Sequence, residues 1–215
     1  MSRKKLVLFG GTGGLGSQLE PMLRDEYNTF PLDSCTDIRD PEQVKSVCDF
    51  INPDIVINLS GYNYDSFLHK ITLDDMCEVN KLLDITVQGN LNLLSAALPG
   101  MRDRGYGRII LASSVLAEKV QVGTGVYSAA KCFVDSLVRT ASVENIGKGV
   151  TCNSLRLGYF DGGICHDIPK KYADPIRESI GLKRWGSIEE LYNIVQFLIK
   201  TEYITGQNLN VSGGI

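Results

Sequence analysis

Apolar residues along this chain fall into short unbroken runs that take turns with longer stripes at helical spacing. The runs Leu6-Val7-Leu8-Phe9, Tyr27–Leu32, Ile55–Leu59, Gly107–Ala112, Val150–Leu157 and Gln207–Val211 read as buried strands. Between them, Leu15, Leu19, Met22 and Leu23 recur at helical spacing, and Glu42–Ile51 forms a second amphipathic stretch. A longer helical pattern runs from Leu73 to Leu98 and is closed by Pro99-Gly100. Another spans Val126–Ile146, with Phe133, Val134, Leu137, Val138 and Ala141 on one face, and a last one covers Ser187–Lys200. Strands alternating with helices of these lengths predict an α/β fold, a Rossmann-type doubly wound parallel sheet with helices on both faces. The region after the second strand is reduced. No full helix fits between a strand ending at Asp33 and the helix Glu42–Ile51, so the next strand of the usual pattern is vestigial. Pro21 lies inside the first helix, where it removes a backbone donor and predicts a kink.

Composition narrows this picture. The 215 residues suit one domain, residues 1–215, long enough to bury about 70% of its unfolded surface. A net charge of −3 without any long basic run argues against a nucleic-acid partner. The N-terminal arginine and lysines are followed only by Leu6–Phe9 before glycines intervene, too short a run for export or membrane spanning, so the expectation is a cytoplasmic protein. The cysteines, Cys35, Cys48, Cys77, Cys132, Cys152 and Cys165, have no C-x-x-C spacing and predict reduced, buried thiols. With His69 and His166 as the only histidines, no metal site is expected.

Three stretches carry chemistry. Gly10-Gly11-Thr12-Gly13-Gly14-Leu15-Gly16 joins the first strand to the first helix. Such a turn lets backbone approach a pyrophosphate at a helix N-terminus, so a dinucleotide-binding βα unit is expected. Asp33, ending the second strand, suits the adenosine ribose hydroxyls, and its alternative is a turn aspartate before Ser34. Ser60-Gly61 ends the third strand, where open α/β sheets place ligands. Tyr127 and Lys131 lie four apart on one helical face, and an ammonium beside a phenol stabilises the phenolate and lowers the tyrosine pKa. Ser114, at the end of the preceding strand, brings a hydroxyl to the same end of the sheet. Residues 159–182, with Gly162, Gly163, Pro169 and Pro175, break the rhythm and read as a substrate lid or a passive surface loop.

In this order the residues resemble the short-chain dehydrogenase/reductase family across nearly the whole chain. Gly10-x-x-x-Gly14-x-Gly16 is similar to its cofactor loop, and Asn58-Leu-Ser-Gly61 resembles its Asn-Asn-Ala-Gly strand end. Ser114, Tyr127 and Lys131 match its catalytic serine, tyrosine and lysine in spacing. Asn153 with Leu157-Gly158, and Thr205-Gly-Gln207 with Gly213-Gly214, resemble its later motifs. The resemblance implies hydride transfer between a nicotinamide and a carbonyl or alcohol carbon, with Ser114, Tyr127 and Lys131 catalytic. It also implies a cofactor site of Gly10, Thr12, Gly13, Gly14, Leu15, Gly16, Asp33, Asp37, Asn58, Ser60, Gly61, Tyr127, Lys131, Leu157 and Gly158. The cofactor is NAD(P)(H). Asp33 and Gly13 lean towards NAD(H), while Arg39 leaves NADP(H) open.

Two positions depart from the family. Its fourth catalytic residue, an asparagine that helps hold a water linking the lysine to solvent, falls on Thr86, with Asn80 six residues too early. Gly162 stands where a threonine often contacts the nicotinamide amide. The short region after Asp33 resembles sugar-nucleotide reductases of the extended branch, whose larger C-terminal domain 215 residues do not accommodate. Candidate substrates are 3-oxoacyl thioesters, polyketide-like ketones and keto-sugars, and the family implies a homodimer or homotetramer through the long helices after Leu73 and Val126. A catalytically weak NAD(P)-binding regulator or scaffold is the alternative. Thr86 and Gly162 motivate it, and the intact Ser114, Tyr127 and Lys131 oppose it.

Overall fold

The computed structural model describes residues 3–162 and 168–215. Six parallel strands form one sheet in the order β2-β1-β3-β4-β5-β6. They are β1 (Lys5–Phe9), β2 (Asn28–Leu32), β3 (Ile55–Asn58), β4 (Gly107–Ser114), β5 (Val150–Leu157) and β6 (Asn208–Val211). After β2 the chain crosses back over β1 to lay down β3, so the strand order reverses between β1 and β3. In open parallel sheets that reversal opens a crevice at the carboxyl ends of the two strands.

Alternating side chains of each strand feed two separate cores, which is why the strands read as continuous apolar runs. Val7, Phe9, Val56, Ile109 and Leu111 face α2 (Pro41–Ile51), α4 (Gly89–Arg104) and α5 (Gly125–Asn145). Leu6, Leu8, Ile55, Ile57 and Ile110 face α1 (Gly16–Arg24) and α7 (Ile188–Lys200). A serine-glutamate capping box at Ser187 and Glu190 starts α7. Within α5, Val134, Val138 and Ala141 are buried as the pattern predicts.

The long helical stretch differs from its sequence reading at both ends and in the middle. It begins at Met76 with α3 (Met76–Leu83), and Leu73 is exposed. A π-turn, Asp84–Gln88, then joins α3 to α4 without a break. Pro99 does not end the helix. Past it, fully buried Met101 packs against Gly107, and Gly105, with φ +66°, closes the last turn. Packing thus outweighs the one donor that proline removes. The irregular segment 159–182 contains a further helix, α6 (Lys170–Ser179), with Pro175 inside, while residues 163–167 lie outside the described residues. Pro21 lies inside α1 as expected.

The reduced region is pinned rather than loose. β2 is an edge strand, and Pro31 leaves it one donor short, which protects an unpaired edge. The loop from Asp33 to Asp40 then runs straight into α2, whose first turn Asp40 caps by accepting from Glu42 and Gln43. Buried Asn92 of α4 donates to the carbonyls of Ile38 and Arg39, both at 3.0 Å. Gly89 leaves room for the Ile38 side chain, which a Cβ would crowd at 2.9 Å. Asn92→Leu removes both hydrogen bonds and strands the buried Ile38 carbonyl. It is expected to cost about 2 kcal/mol, read as a lower urea midpoint with an unchanged slope.

Candidate active site

The crevice at the strand reversal is lined by two turns that touch. Gly10, with φ +72°, sits so close to the end of β3 that a Cβ there would lie 2.8 Å from the Ser60 nitrogen. A Cβ on Gly16 would overlap the Gly10 carbonyl, so the first turn of α1 closes only with glycine at that position. Thr12, Gly13 and Gly14 are exposed at the rim, and around Gly61 there is open space. Gly162, at the start of the 159–182 segment, lies against Leu15 and Gln18 of this turn. A glycine turn at a helix N-terminus with exposed backbone fits the pyrophosphate of a dinucleotide.

Asp33 and Asp37 are beside the crevice, yet both are engaged. The Asp33 carboxylate accepts from the Cys35 nitrogen at 2.8 Å in a turn, the alternative weighed for it. The Asp37 carboxylate holds Arg39 through its Nε and Nη2, at 2.7–3.0 Å, and that guanidinium keeps the Asp37 carboxyl below its usual range. Leu157 is part-buried at the end of β5, and a Cβ on Gly158 would press on the Ser212 backbone at 2.8 Å. Asn153 lies mid-strand in β5 and is fully buried. Its carboxamide ties β5 to the Ile204 carbonyl and the Gln207 nitrogen, a structural role that Thr205 shares by accepting from Cys152.

Ser114, Tyr127 and Lys131 come together at the carboxyl end of β4 and the first turns of α5. The Lys131 ammonium lies 5.6 Å from the Tyr127 ring centroid and donates to the Ala112 carbonyl at 2.9 Å. Lys131 is buried, and burial lowers its pKa to about 8, with Asp135 opposing the drop. The Tyr127 phenol departs from expectation. Burial holds it above its ordinary value, a hydrogen bond from Ser114 acts against this, and Asp65 and Tyr159 add to the rise. Desolvation is the largest cause at the phenol, and the same burial weakens the lysine's hold on its proton.

The π-turn brings in residues that sequence reasoning missed. Thr86 is buried there, and its hydroxyl has no hydrogen-bond partner among the described residues. Its carbonyl accepts from Asn90 Nδ2 at 2.6 Å, while Asn90 Oδ1 accepts from Asn58 Nδ2 at 2.9 Å. Asn58 in turn accepts from the Ser60 nitrogen at 2.9 Å, so Asn90 braces the β3 end against the π-turn. An asparagine at an otherwise apolar helix position was the available signal. Asn80 is exposed, which leaves Thr86 as the residue at the asparagine's place. Asp65 and Tyr159 were likewise missed, since only tertiary contact brings them to Tyr127. The thiols also differ from expectation: Cys48 and Cys152 are buried, but Cys35, Cys77 and Cys132 are exposed, and Cys165 lies outside the described residues. Among the described residues no helix is long and apolar enough to cross a membrane.

The family model described as enoyl-(acyl carrier protein) reductase matches residues 16–215, starting at the last glycine of the turn. An acetoacetyl-CoA reductase of Shinella zoogloeoides is 33% identical over 164 residues, 75% of this chain and 67% of that protein. A human (3R)-3-hydroxyacyl-CoA dehydrogenase is 31% identical over 177 residues, covering 81% of this chain and 66% of its own. The chain thus spans about two thirds of the length of these relatives. A 3-oxoacyl-[acyl-carrier-protein] reductase of Buchnera aphidicola is 29% identical over 242 aligned positions, covering 100% of this chain and 98% of its own. Among solved structures, ElxO with NADP bound superposes with a TM-score of 0.87 at 20% identity over 98% of each chain. A 3-oxoacyl-[acyl-carrier protein] reductase from Brucella melitensis gives 0.88 at 17% identity, over 100% of this chain and 91% of its own. At these identities the two structures speak for the fold alone. Together with the family match and the sequence relatives, this places the chain in the short-chain dehydrogenase/reductase family, NAD(P)-dependent oxidoreductases acting on CH–OH and C=O groups.

Proposed function

We propose that this chain reduces the ketone of a 3-oxoacyl thioester, or oxidises the corresponding alcohol, through a Ser114-Tyr127-Lys131 centre. The observation that carries this reading is the buried Lys131 ammonium 5.6 Å from the Tyr127 ring, with Ser114 near enough to favour the ionised phenol. The names of the sequence relatives, which act on acetoacetyl-CoA and 3-oxoacyl carriers, support the thioester over a polyketide-like ketone or a keto-sugar. A bound nicotinamide dinucleotide supplies or accepts the hydride. Gly10, Thr12, Gly13, Gly14, Leu15 and Gly16 would hold its pyrophosphate; Asn58, Ser60, Gly61, Leu157 and Gly158 would line its path to Tyr127 and Lys131. Ser114 holds the carbonyl oxygen, Tyr127 moves the proton to or from it, and Lys131 keeps positive charge beside the phenol and holds the nicotinamide ribose. Residues 159–182 act as the substrate lid, rooted against Leu15 and Gln18 at Gly162.

For the cofactor, Asp33 at the β2 end and the pairing of Arg39 with Asp37 favour NAD(H), because the nearby cation is already neutralised. Assembly into a homodimer or homotetramer is supported by exposed apolar side chains on the long helices, Leu91 on α4 and Val143 on α5. A cofactor-binding regulator with little catalysis is the second reading, favoured by Thr86 in the asparagine's place and by the raised Tyr127 phenol.

Tyr127→Phe is expected to abolish turnover of an acetoacetyl thioester while cofactor affinity stays within a few-fold; retained turnover would sink the assignment. Fluorescence titration is expected to give tighter binding for NADH than NADPH, and equal affinities would remove Asp33 from the ribose site. Lys131 offers a separate check through stability. Its folded pKa, about 8, lies below the ordinary 10.5, so between those pH values the unfolded chain binds the extra proton and stability climbs with pH. Lys131→Met removes this dependence. Urea unfolding is expected to find it inactive yet more stable at pH 7 by about 1–2 kcal/mol, with the advantage fading towards pH 10.5. A variant less stable at pH 7 than at pH 10, relative to wild type, would contradict the burial account.

A further inference from the structure

Helix α5 carries a second buried charge below the reacting pair. Tyr127, Lys131 and Asp135 follow one another at four-residue steps, so they share one face of the helix. Lys131 is 4% exposed and Asp135 2%. The hydrogen bond of the ammonium goes to a neutral group, the Ala112 carbonyl on β4, so its charge is left to be met through space. Asp135 meets it. The carboxylate is held from β5 by the Ser154 hydroxyl at 2.8 Å and by Arg156 Nε at 2.7 Å. Ser154 is also within hydrogen-bond distance of Asn208 on β6, at 2.8 Å. The other edge of the Arg156 guanidinium pairs with Glu118, just past β4, which Asn210 also reaches at 3.3 Å.

From the reacting pair outward the charges therefore alternate: Lys131, Asp135, Arg156, Glu118. We propose that Asp135 is a positioning residue for the reaction, the buried counter-charge that holds the Lys131 ammonium in place beneath Tyr127. This rests on the catalytic reading of Tyr127 and Lys131 above. A brace between α5 and β5 needs only the bond between Asp135 and Arg156. It gives no reason for the carboxylate to lie between two cations, one turn from a buried lysine. The surroundings make Asp135 the group that decides. Ser114 and the Ala112 carbonyl on β4 are neutral, Asp65 and Tyr159 act on the Tyr127 phenol, and Asp135 is the charged group that raises the Lys131 pKa. Arg156, itself a cation, can act on the ammonium only in the opposite sense.

The two ion-pair partners then push Lys131 in opposite directions. Asp135→Asn keeps the shape and the contact to Ser154 but leaves the ammonium uncompensated. Arg156→Gln frees the Asp135 charge to act on Lys131 alone. The test is the titration of the Lys131 amine by NMR, using protein with labelled lysine, alongside the pH profile of kcat for acetoacetyl thioester reduction. The midpoint is expected to fall by about one pH unit in Asp135→Asn. It is expected to rise in Arg156→Gln and to stay in place in the charge-conserving Asp135→Glu. The alkaline limb of kcat follows the same order. A folded variant whose Lys131 midpoint does not move in its stated direction overturns the proposal, and general damage to the fold would not move the two midpoints in opposite directions. Loss of turnover dependence on Tyr127, with the midpoints shifting as stated, would overturn the catalytic reading and leave the counter-charge standing.

Discussion

An ammonium group carried into the body of a protein loses its hydration and must find charge or dipoles to replace it. At Lys131 this constraint shapes everything nearby. The lysine is anchored on α5, bonded to the Ala112 carbonyl, and faced by one carboxylate a helical turn away. That carboxylate is held by β5, so the packing of α5 on β4 and β5 and the electrostatics of Tyr127 and Lys131 are one arrangement. The burial that pulls Lys131 down to about 8 also raises the Tyr127 phenol, so two groups whose ordinary values nearly coincide are driven apart, with the lysine the lower. At neutral pH the lysine is still mostly charged and the tyrosine is protonated, as the proposed donation of a proton to a carbonyl oxygen requires.

The glycine-turn side depends on a different constraint, the close approach of backbone segments. Gly10 and Gly16 allow the end of β1, the first turn of α1 and the end of β3 to touch. On the far side the sheet stops at β2, and Asn92 and Gly89 of α4 hold the shortened Asp33–Asp40 loop in place of a further strand. The β2 end of the crevice is therefore built by a helix clamping a loop, and the pairing of Asp37 with Arg39 is part of that loop's own structure.

What was legible in the sequence was what repeats or what lies local in the chain. The strands were readable because each is buried on both faces, and the four-residue step from Tyr127 to Lys131 needed only helical geometry. Ser114 was legible because it ends a strand and begins a turn. The π-turn at Asp84–Gln88 was not, since an inserted residue in a helix leaves the apolar period almost unchanged. Helix α4 ran through Pro99 because buried Met101 holds the following turn, a tertiary fact that overrides a local stop signal. The sign of the Tyr127 shift was misread for the same reason. Spacing gives the neighbour on the helix, but burial is set by β4, the segment after β3 and the segment after β5, none of them local.

Asn90 takes this one step further. A helix that widens at Thr86 frees a backbone carbonyl inside the protein, and such a group requires a donor. Asn90 supplies it and uses its other end to fix Asn58, whose carboxamide in turn orders the Ser60 turn at the crevice. The widened turn and the strand end are thus held by one side chain, so a change at either is felt at the other. With its carbonyl already bonded to Asn90, Thr86 has a buried hydroxyl with no hydrogen-bond partner among the described residues. Substitution of the expected asparagine therefore goes together with a second asparagine four residues on.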